Sequence, residues 1–316
     1  MRKHRKIVHF SEKTGKKRTR STSGKRRNHS PRKKGTMAYA LTIPSNDSLL
    51  LSDRREAHDL VQGAVQPDVK AVLQPLLSVI IPAMNEERTI GAVVREAARI
   101  CRDAEVLVIV NGSTDRTASE AERAGARVLQ YPEALGHDGG RRAGAAAAKG
   151  QILLFTDADI PIPAEHLAPY VQAVLKGVDA ALNDYNGPVT RSPVHPVVEA
   201  KHVLNSLLSR SDLGGASMTA IPHALNRKAL EVIGLAALEV PPLAHAKAIL
   251  GGLRVEAVHH VPVGKWNAVR MKKRSGADPL SQVVLQDHLE AIRWITDTRG
   301  PRGGYPDLNR VRSLCR

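Results

Sequence analysis

Aromatic residues make up only 3% of this 316-residue chain, and cysteines number two. So few rings leave no stacking surface for single-stranded nucleic acid and no aromatic platform for a sugar. Cys101 sits in a helical pattern and Cys315 is next to last, so the two make no disulfide framework, and a reduced, cytoplasmic chain is expected. No apolar run approaches the roughly 20 residues of a membrane span, so no transmembrane segment is expected. The basic amino terminus has no apolar stretch behind it, as a secretory signal would. A G-x-G-x-x-G after the first strand and a G-x-x-x-x-G-K-[ST] are both missing, which argues against a dinucleotide cofactor and a P-loop. Acidic residues are scarce at the start. Residues 1–36 hold 15 Lys/Arg against Glu12 alone, which accounts for +14 of the formal net charge of +16. This polar segment cannot bury enough apolar surface to fold alone and reads as a disordered tail. Its charge suits an anionic membrane surface or nucleic acid, or it is simply a solvated extension. Residues 37–75 read as a linker with one amphipathic helix near Asp53–Val65.

The chemistry starts from a short apolar run that stops at two carboxylates. Residues 151–159 read Q-I-L-L-F-T-D-A-D. Four apolar residues without a charge suit a strand buried on both faces, as in a parallel sheet. Asp157 and Asp159 follow at its carboxyl end, two apart and so on one side of an extended chain. That pair can face one hard cation, and the strand end is where open α/β sheets bind ligands. The alternative is a solvated acidic turn.

Upstream, L-L-S-V-I-I-P-A-M from Leu76 reads as a buried strand, and Thr89–Cys101 has helical spacing. Glu105–Val110 is a second strand. Asn111-Gly112-Ser113-Thr114-Asp115 turns into a helix through Ala124, capped by Ser or Thr. Arg127–Tyr131 is a third strand, and Gly136–Lys149 a Gly- and Ala-rich helix. Strand and helix alternate four times, which predicts an α/β doubly wound, mostly parallel sheet flanked by helices.

The blocks S-V-I-I-P-A-M-N-E-E, V-N-G-S-T-D-R-T, G-H-D-G-G-R-R-A-G-A-A-A-A-K-G and F-T-D-A-D resemble the family 2 glycosyltransferases of GT-A fold, in order and spacing, across Leu76–Val178. More loosely, the chain is similar to the retaining glucosyl-3-phosphoglycerate synthases, which share an I-P-A-x-N-E-E opening. The resemblance implies a UDP- or GDP-linked sugar donor and a Mg²⁺ or Mn²⁺ ion. By that resemblance Pro82, Ala83, Asn85 and Glu86 would line the nucleotide pocket, with Asn111, Gly112 and Ser113 near base and ribose. Gly136 and His137 fall where a Gly-Lys pair often meets the diphosphate. Asp157 and Ala158 would touch the sugar-nucleotide, and Asp157 and Asp159 would hold the metal. Two departures stand out. Val110 and Asn111 occupy the place of an acidic pair whose first member contacts the base, which leaves the base open. His137 replaces the lysine and can be neutral.

The second half carries the acceptor side. A strand is expected at Val178–Asn183 and a helix at Pro196–Arg210, and 214–234 resembles the strand-then-helix segment that backs the acceptor pocket in this family. In place of the family's acidic pair, L-E-V-P-P-L-A-H-A-K-A-I holds Glu239 alone. Glu239 is the general-base candidate, unless another residue serves or the reaction retains configuration. Arg254–Val263 is a further strand, with His259 and His260 on opposite faces; His260 is a candidate third metal ligand. Lys265, Trp266, Asn267, Arg270, Lys272, Lys273 and Arg274 could close over a diphosphate or an anionic acceptor. Pro279–Thr298 is an amphipathic helix before a loose end at 299–316.

The expectation is a GT-A domain over 76–298, nucleotide-binding in 76–178 and acceptor-binding in 179–298. It would move a sugar from a nucleotide-diphosphate donor to an unknown acceptor, in the cytoplasm or peripherally at the inner face of the membrane. Two rivals stay open: a nucleotidyltransferase with a similar sheet, and a non-catalytic nucleic-acid or membrane-surface binder acting through the tail.

Overall fold

Leu77–Ala83 are buried at all seven positions and form β1, an inner strand of a seven-stranded sheet. The computed structural model describes residues 74–190, 192–266 and 279–310. The basic tail, the linker to residue 73 where a helix near Asp53–Val65 is expected, the segment from Asn267 to Arg274, and 311–316 lie outside them.

In chain order the elements are β1, α1 (Ile90–Ala98), β2 (Ala104–Asn111), α2 (Thr117–Arg123), β3 (Arg127–Tyr131), α3 (Gly136–Ala147), β4 (Ile152–Phe155), α4 (Ala164–Leu175) and β5 (Ala180–Asn183). There follow α5 (Pro196–Leu207), β6 (His223–Asn226), α6 (Arg227–Ile233), α7 (Pro241–Leu250), β7 (Val255–His259), α8 (Val263–Trp266) and α9 (Pro279–Arg299). Short 3₁₀ turns span Ser211–Leu213 and Leu235–Glu239.

The sheet order is β3-β2-β1-β4-β6-β5-β7. Only β6 runs antiparallel to its neighbours, so the sheet is mixed but mostly parallel, as the alternating pattern predicts. The order reverses between β1 and β4, which opens a crevice at their carboxyl ends. Strands covered on both faces need apolar side chains on both, and β1 divides them by alternation. Leu77, Val79 and Ile81 pack against α1 and α4 through Ile90, Val94 and Tyr170. Ile80 faces the other way, with Ile109, Phe155, Ala145 and Leu230. A smaller cluster of Leu204, Leu208, Ala246, Ala291 and Ile295 ties α5, α7 and α9 together.

Several boundaries differ from the sequence pattern, for local reasons. The cap of α2 is not a Ser or Thr. Asp115 Oδ1 accepts from Thr117 N at 2.9 Å, and Arg116 holds the cap position without a side-chain bond. The helix expected to reach Arg210 stops at Leu207, and Ser209 takes φ 57°, which a helix cannot carry. The last long strand stops at His259, short of Pro262, which has no N–H for a ladder. Residues 300–310, expected to be loose, carry turns, and the Tyr305 hydroxyl donates to Ser206 O at 2.9 Å. Among the described residues no helix is long and apolar enough to cross a membrane.

Candidate functional site

Two loops at the carboxyl ends of β1 and β2 are sewn together by their own motif residues. Asn85 takes φ 57°, a left-handed conformation that asparagine tolerates better than most side chains. Its N–H donates to Ser113 Oγ at 3.1 Å, and its Oδ1 accepts from Thr114 N at 2.9 Å. Glu86 N donates to Thr117 Oγ1 at 2.7 Å, and Glu87 N to Asp115 Oδ2 at 3.1 Å. Gly112, at φ 62°, donates to Tyr131 O, and a Cβ there would sit 3.0 Å from that of Ala134. Asn85, Gly112 and Ser113 therefore shape the loops; none of the three lines the cavity beside them.

That cavity, about 300 Å³, opens at the crevice between β1 and β4. Of the residues expected from the sequence, Pro82, Ala83, Glu86, Asn111, Gly136, His137, Ala158 and Asp159 line it. Met84 lines it too, unforeseen, and is half exposed. Asn111 is 2% exposed and its amide faces the protein. Oδ1 accepts from Leu135 N at 3.0 Å, while Nδ2 points to Ala83 O and Ile109 O at 3.5 and 3.4 Å. It thus anchors the approach to α3 and has no polar atom left to read a base.

The α3 helix brings the two halves of the site together because glycine lets it come close. A Cβ on Gly140 would sit 2.8 Å from Pro82 Cβ on the cavity wall. One turn of this helix also carries Arg141, whose side chain is 9% exposed and lies between two carboxylates. Nη1 donates to Asp138 Oδ1 at 2.7 Å and Nη2 to Asp157 Oδ1 at 3.0 Å. Burial opposes the charge, but Asp157 and Asp138 keep the guanidinium pKa above its ordinary value. Burial also raises the Asp138 carboxyl, against the pull of Arg141 and His137. Sequence reasoning passed over Arg141. The available signal was its position on the face of α3 that also presents Gly144 and Ala145, a buried face where an arginine needs acidic partners.

The structure thus separates the two acidic residues of D-A-D. Asp157 turns to Arg141, with His137 Nδ1 at 4.0 Å, while half-buried Asp159 lines the cavity. Glu239 ends the 3₁₀ turn, and its Oε1 pairs with Arg142 Nε at 3.1 Å. His259 and His260 do diverge. His259 Nε2 lies 2.9 Å from His166 Nδ1 on α4, and His260 Nδ1 lies 2.5 Å from Asp184 O. Because a carbonyl only accepts, His260 carries a proton on Nδ1, so a metal would have to meet this ring at Nε2.

Among the described residues no group of three His, Cys, Asp or Glu is preassembled for a metal. The carboxylate of Asp159 beside an open cavity nonetheless fits a hard divalent ion, which is commonly held by one or two carboxylates plus substrate phosphate oxygens. Asp157 fits that role less well, since one of its oxygens already neutralises Arg141.

A mostly parallel sheet, a crevice at its order reversal and an acidic strand end beside a nucleotide-sized cavity define the GT-A class of fold. Residues 78–233 match the family described as glycosyl transferase family 2, and this domain belongs to that family. A dolichyl-phosphate hexose transferase of Haloferax volcanii is 32% identical over 108 residues, 34% of this chain and 47% of that protein. A glucosyl-3-phosphoglycerate synthase of Mycolicibacterium paratuberculosis is 32% identical over 125 residues, 36% of this chain and 38% of that protein. The chain thus spans less than half the length of these curated relatives. The crystal structure of glucosyl-3-phosphoglycerate synthase from Mycobacterium tuberculosis with Mn²⁺, UDP-glucose and phosphoglyceric acid has a TM-score of 0.50. It is 21% identical, and the match covers 74% of this chain and 82% of that one.

Proposed function

We propose that this domain is a metal-dependent glycosyltransferase that moves a sugar from a UDP- or GDP-linked donor to an acceptor hydroxyl. The observation that carries this is the cavity at the β1–β4 crevice, walled by Pro82, Ala83 and Glu86 and closed by Ala158, Asp159 and the start of α3. Asp159, with Nε2 of His260, would hold Mg²⁺ or Mn²⁺ together with donor phosphate oxygens. The ion supplies charge stabilisation for the departing diphosphate. The chain's own part is orientation. Pro82 and Ala83 fix the nucleotide's floor, and Gly136 and His137 face the diphosphate side. Arg141 holds Asp157 and α3 in register with the strand end. Fixing donor and acceptor replaces a bimolecular encounter with an oriented one. Glu239 is the carboxylate proposed at the acceptor side.

UDP-glucose is the first donor to test, because the Mycobacterium tuberculosis structure contains it. A thermal-shift screen of UDP- and GDP-sugars with and without Mn²⁺ or Mg²⁺ should show cation-dependent stabilisation by at least one donor. Stabilisation by none, or release of pyrophosphate instead of a nucleoside diphosphate, would overturn the reading. We further propose that residues 1–36 tether the cytoplasmic enzyme electrostatically to an anionic surface. The support is the +14 charge of that segment. Vesicle binding should then fall steeply between low and physiological salt; salt-insensitive binding would count against the tether.

A further inference from the structure

Adjacent arginines on α3 reach in different directions to two acidic groups on other elements. Arg141 takes Asp157, at the end of β4; Arg142 takes Glu239, at the end of the 3₁₀ turn, with Nε–Oε1 at 3.1 Å. The backbone under Glu239 is fixed on both sides. Ala237 and Leu238 are buried before it, and Pro241 and Pro242 open α7 behind it. Its carboxylate sits over the first turn of α3. A Cβ built on Gly139 would be 3.8 Å from Oε1, and Gly136 and His137 on the same turn line the cavity. An exposed ion pair of this kind contributes little to stability, a median of about 0–1 kcal/mol. Both partners are roughly half exposed, at 51% and 41% of their side-chain surface. Fold stability therefore gives no reason for the pair, whereas aiming a carboxylate does.

We propose that Arg142 is a positioning residue that holds the Glu239 carboxylate at the acceptor edge of the cavity. This rests on the glycosyltransferase reading above. In the step it supports, the acceptor O–H bond breaks and its proton passes to the Glu239 carboxylate. The acceptor oxygen bonds to the anomeric carbon, and the bond from that carbon to the donor diphosphate breaks, its electron pair leaving with the nucleoside diphosphate. Water can stand in as acceptor, so donor hydrolysis reads the same geometry.

The test uses the full chain, Mn²⁺ and the donor from the thermal-shift screen, with release of nucleoside diphosphate as the rate. Arg142→Ala should lower kcat on the order of 10²-fold, as misplacement of a reacting group does. Donor Kd by calorimetry and the melting temperature should stay at parental values. Arg142→Lys should restore part of the rate, because charge returns without the planar fork. Combining Arg142→Ala with Glu239→Gln should cost no more than Glu239→Gln alone, since the arginine acts through the glutamate. A parental kcat in Arg142→Ala, or additive losses in the double variant, would overturn the assignment while leaving the enzyme reading intact. A parent that binds and turns over no donor would overturn both.

Discussion

Arg141 Nη2 donates to Asp157 Oδ1 at 3.0 Å, so the first acidic residue of D-A-D serves an internal charge, while the second lines the cavity. The two aspartates should respond differently to the same substitution. Asp159→Asn should abolish Mn²⁺-dependent binding of nucleotide sugar in calorimetry and leave the melting temperature near the parent's. Asp157→Asn removes a counter-charge from a nearly buried guanidinium, and breaking such a pair costs about 3–5 kcal/mol. Asp138 still holds the other side, so the lower end of that range is expected, read as a drop in denaturant midpoint. Equal cation-dependent affinity in Asp159→Asn and the parent would refute the metal assignment.

Helix α3 can serve both walls of the site only by lying close to β1. Gly140→Ala would place a methyl 2.8 Å from Pro82 Cβ, inside van der Waals contact, with no flexible side chain to yield. Overpacking of this kind costs about 1–3 kcal/mol. The helix should shift outward, and donor affinity should fall along with stability. A variant with parental melting temperature and parental donor affinity would mean that the close approach is not needed.

The fold was legible because its strands advertise themselves. The apolar stretches at Leu77–Ala83, Ala104–Asn111 and Ile152–Phe155 are short, buried on both faces and separated by helical spacing. The pattern could not show that β6 runs antiparallel between β4 and β5, because pairing partners far apart in sequence leave no local signal. At the site, motif residues were legible as a set but not by task. Asn85 and Ser113 sit in the right loops, yet Ser113 Oγ accepts from the backbone N–H of Asn85 and Asn85 Oδ1 from that of Thr114, rather than facing the cavity. Arg141 and Arg142 were missed because charge on a Gly- and Ala-rich helix reads as solvated surface until the tertiary partners Asp157 and Glu239 are in place.

Acid should destabilise the protein well before its carboxylates are all protonated. His223 and His245 are buried, and burial pushes both from the ordinary 6.5 down to about 3. Between those values the unfolded chain takes up protons that the folded chain refuses, so stability falls as pH drops. Asp287, pushed up to about 6 by burial and by neighbouring Asp138 and Glu290, works the other way below that pH. Asp138, also raised by burial, acts in the same sense as Asp287, but burial lowers His259 and His288 as well, so two carboxylates stand against four histidines. Urea midpoints should therefore fall from pH 7 to pH 4.5, and His245→Asn should flatten the slope. A midpoint constant across that range would contradict the neutral, buried state of both rings.

Asn111 closes β2 in a buried site, and an acid there should harm this protein rather than equip it to read a base. The Asn111 side chain is buried, with Oδ1 accepting from Leu135 N and Nδ2 facing two carbonyl oxygens, Ala83 O and Ile109 O. Asn111→Asp keeps the first interaction and turns the second into oxygen against oxygen, with a negative charge in a site that excludes water. Leaving such a group unsatisfied costs about 1–3 kcal/mol, and more when it is charged. The variant should melt lower than the parent. It should lose affinity for every nucleotide sugar tested, without switching between UDP- and GDP-linked donors, because the approach to α3 loses its anchor. A variant of unchanged stability that gains preference for one base would show that the amide is free to turn toward the cavity.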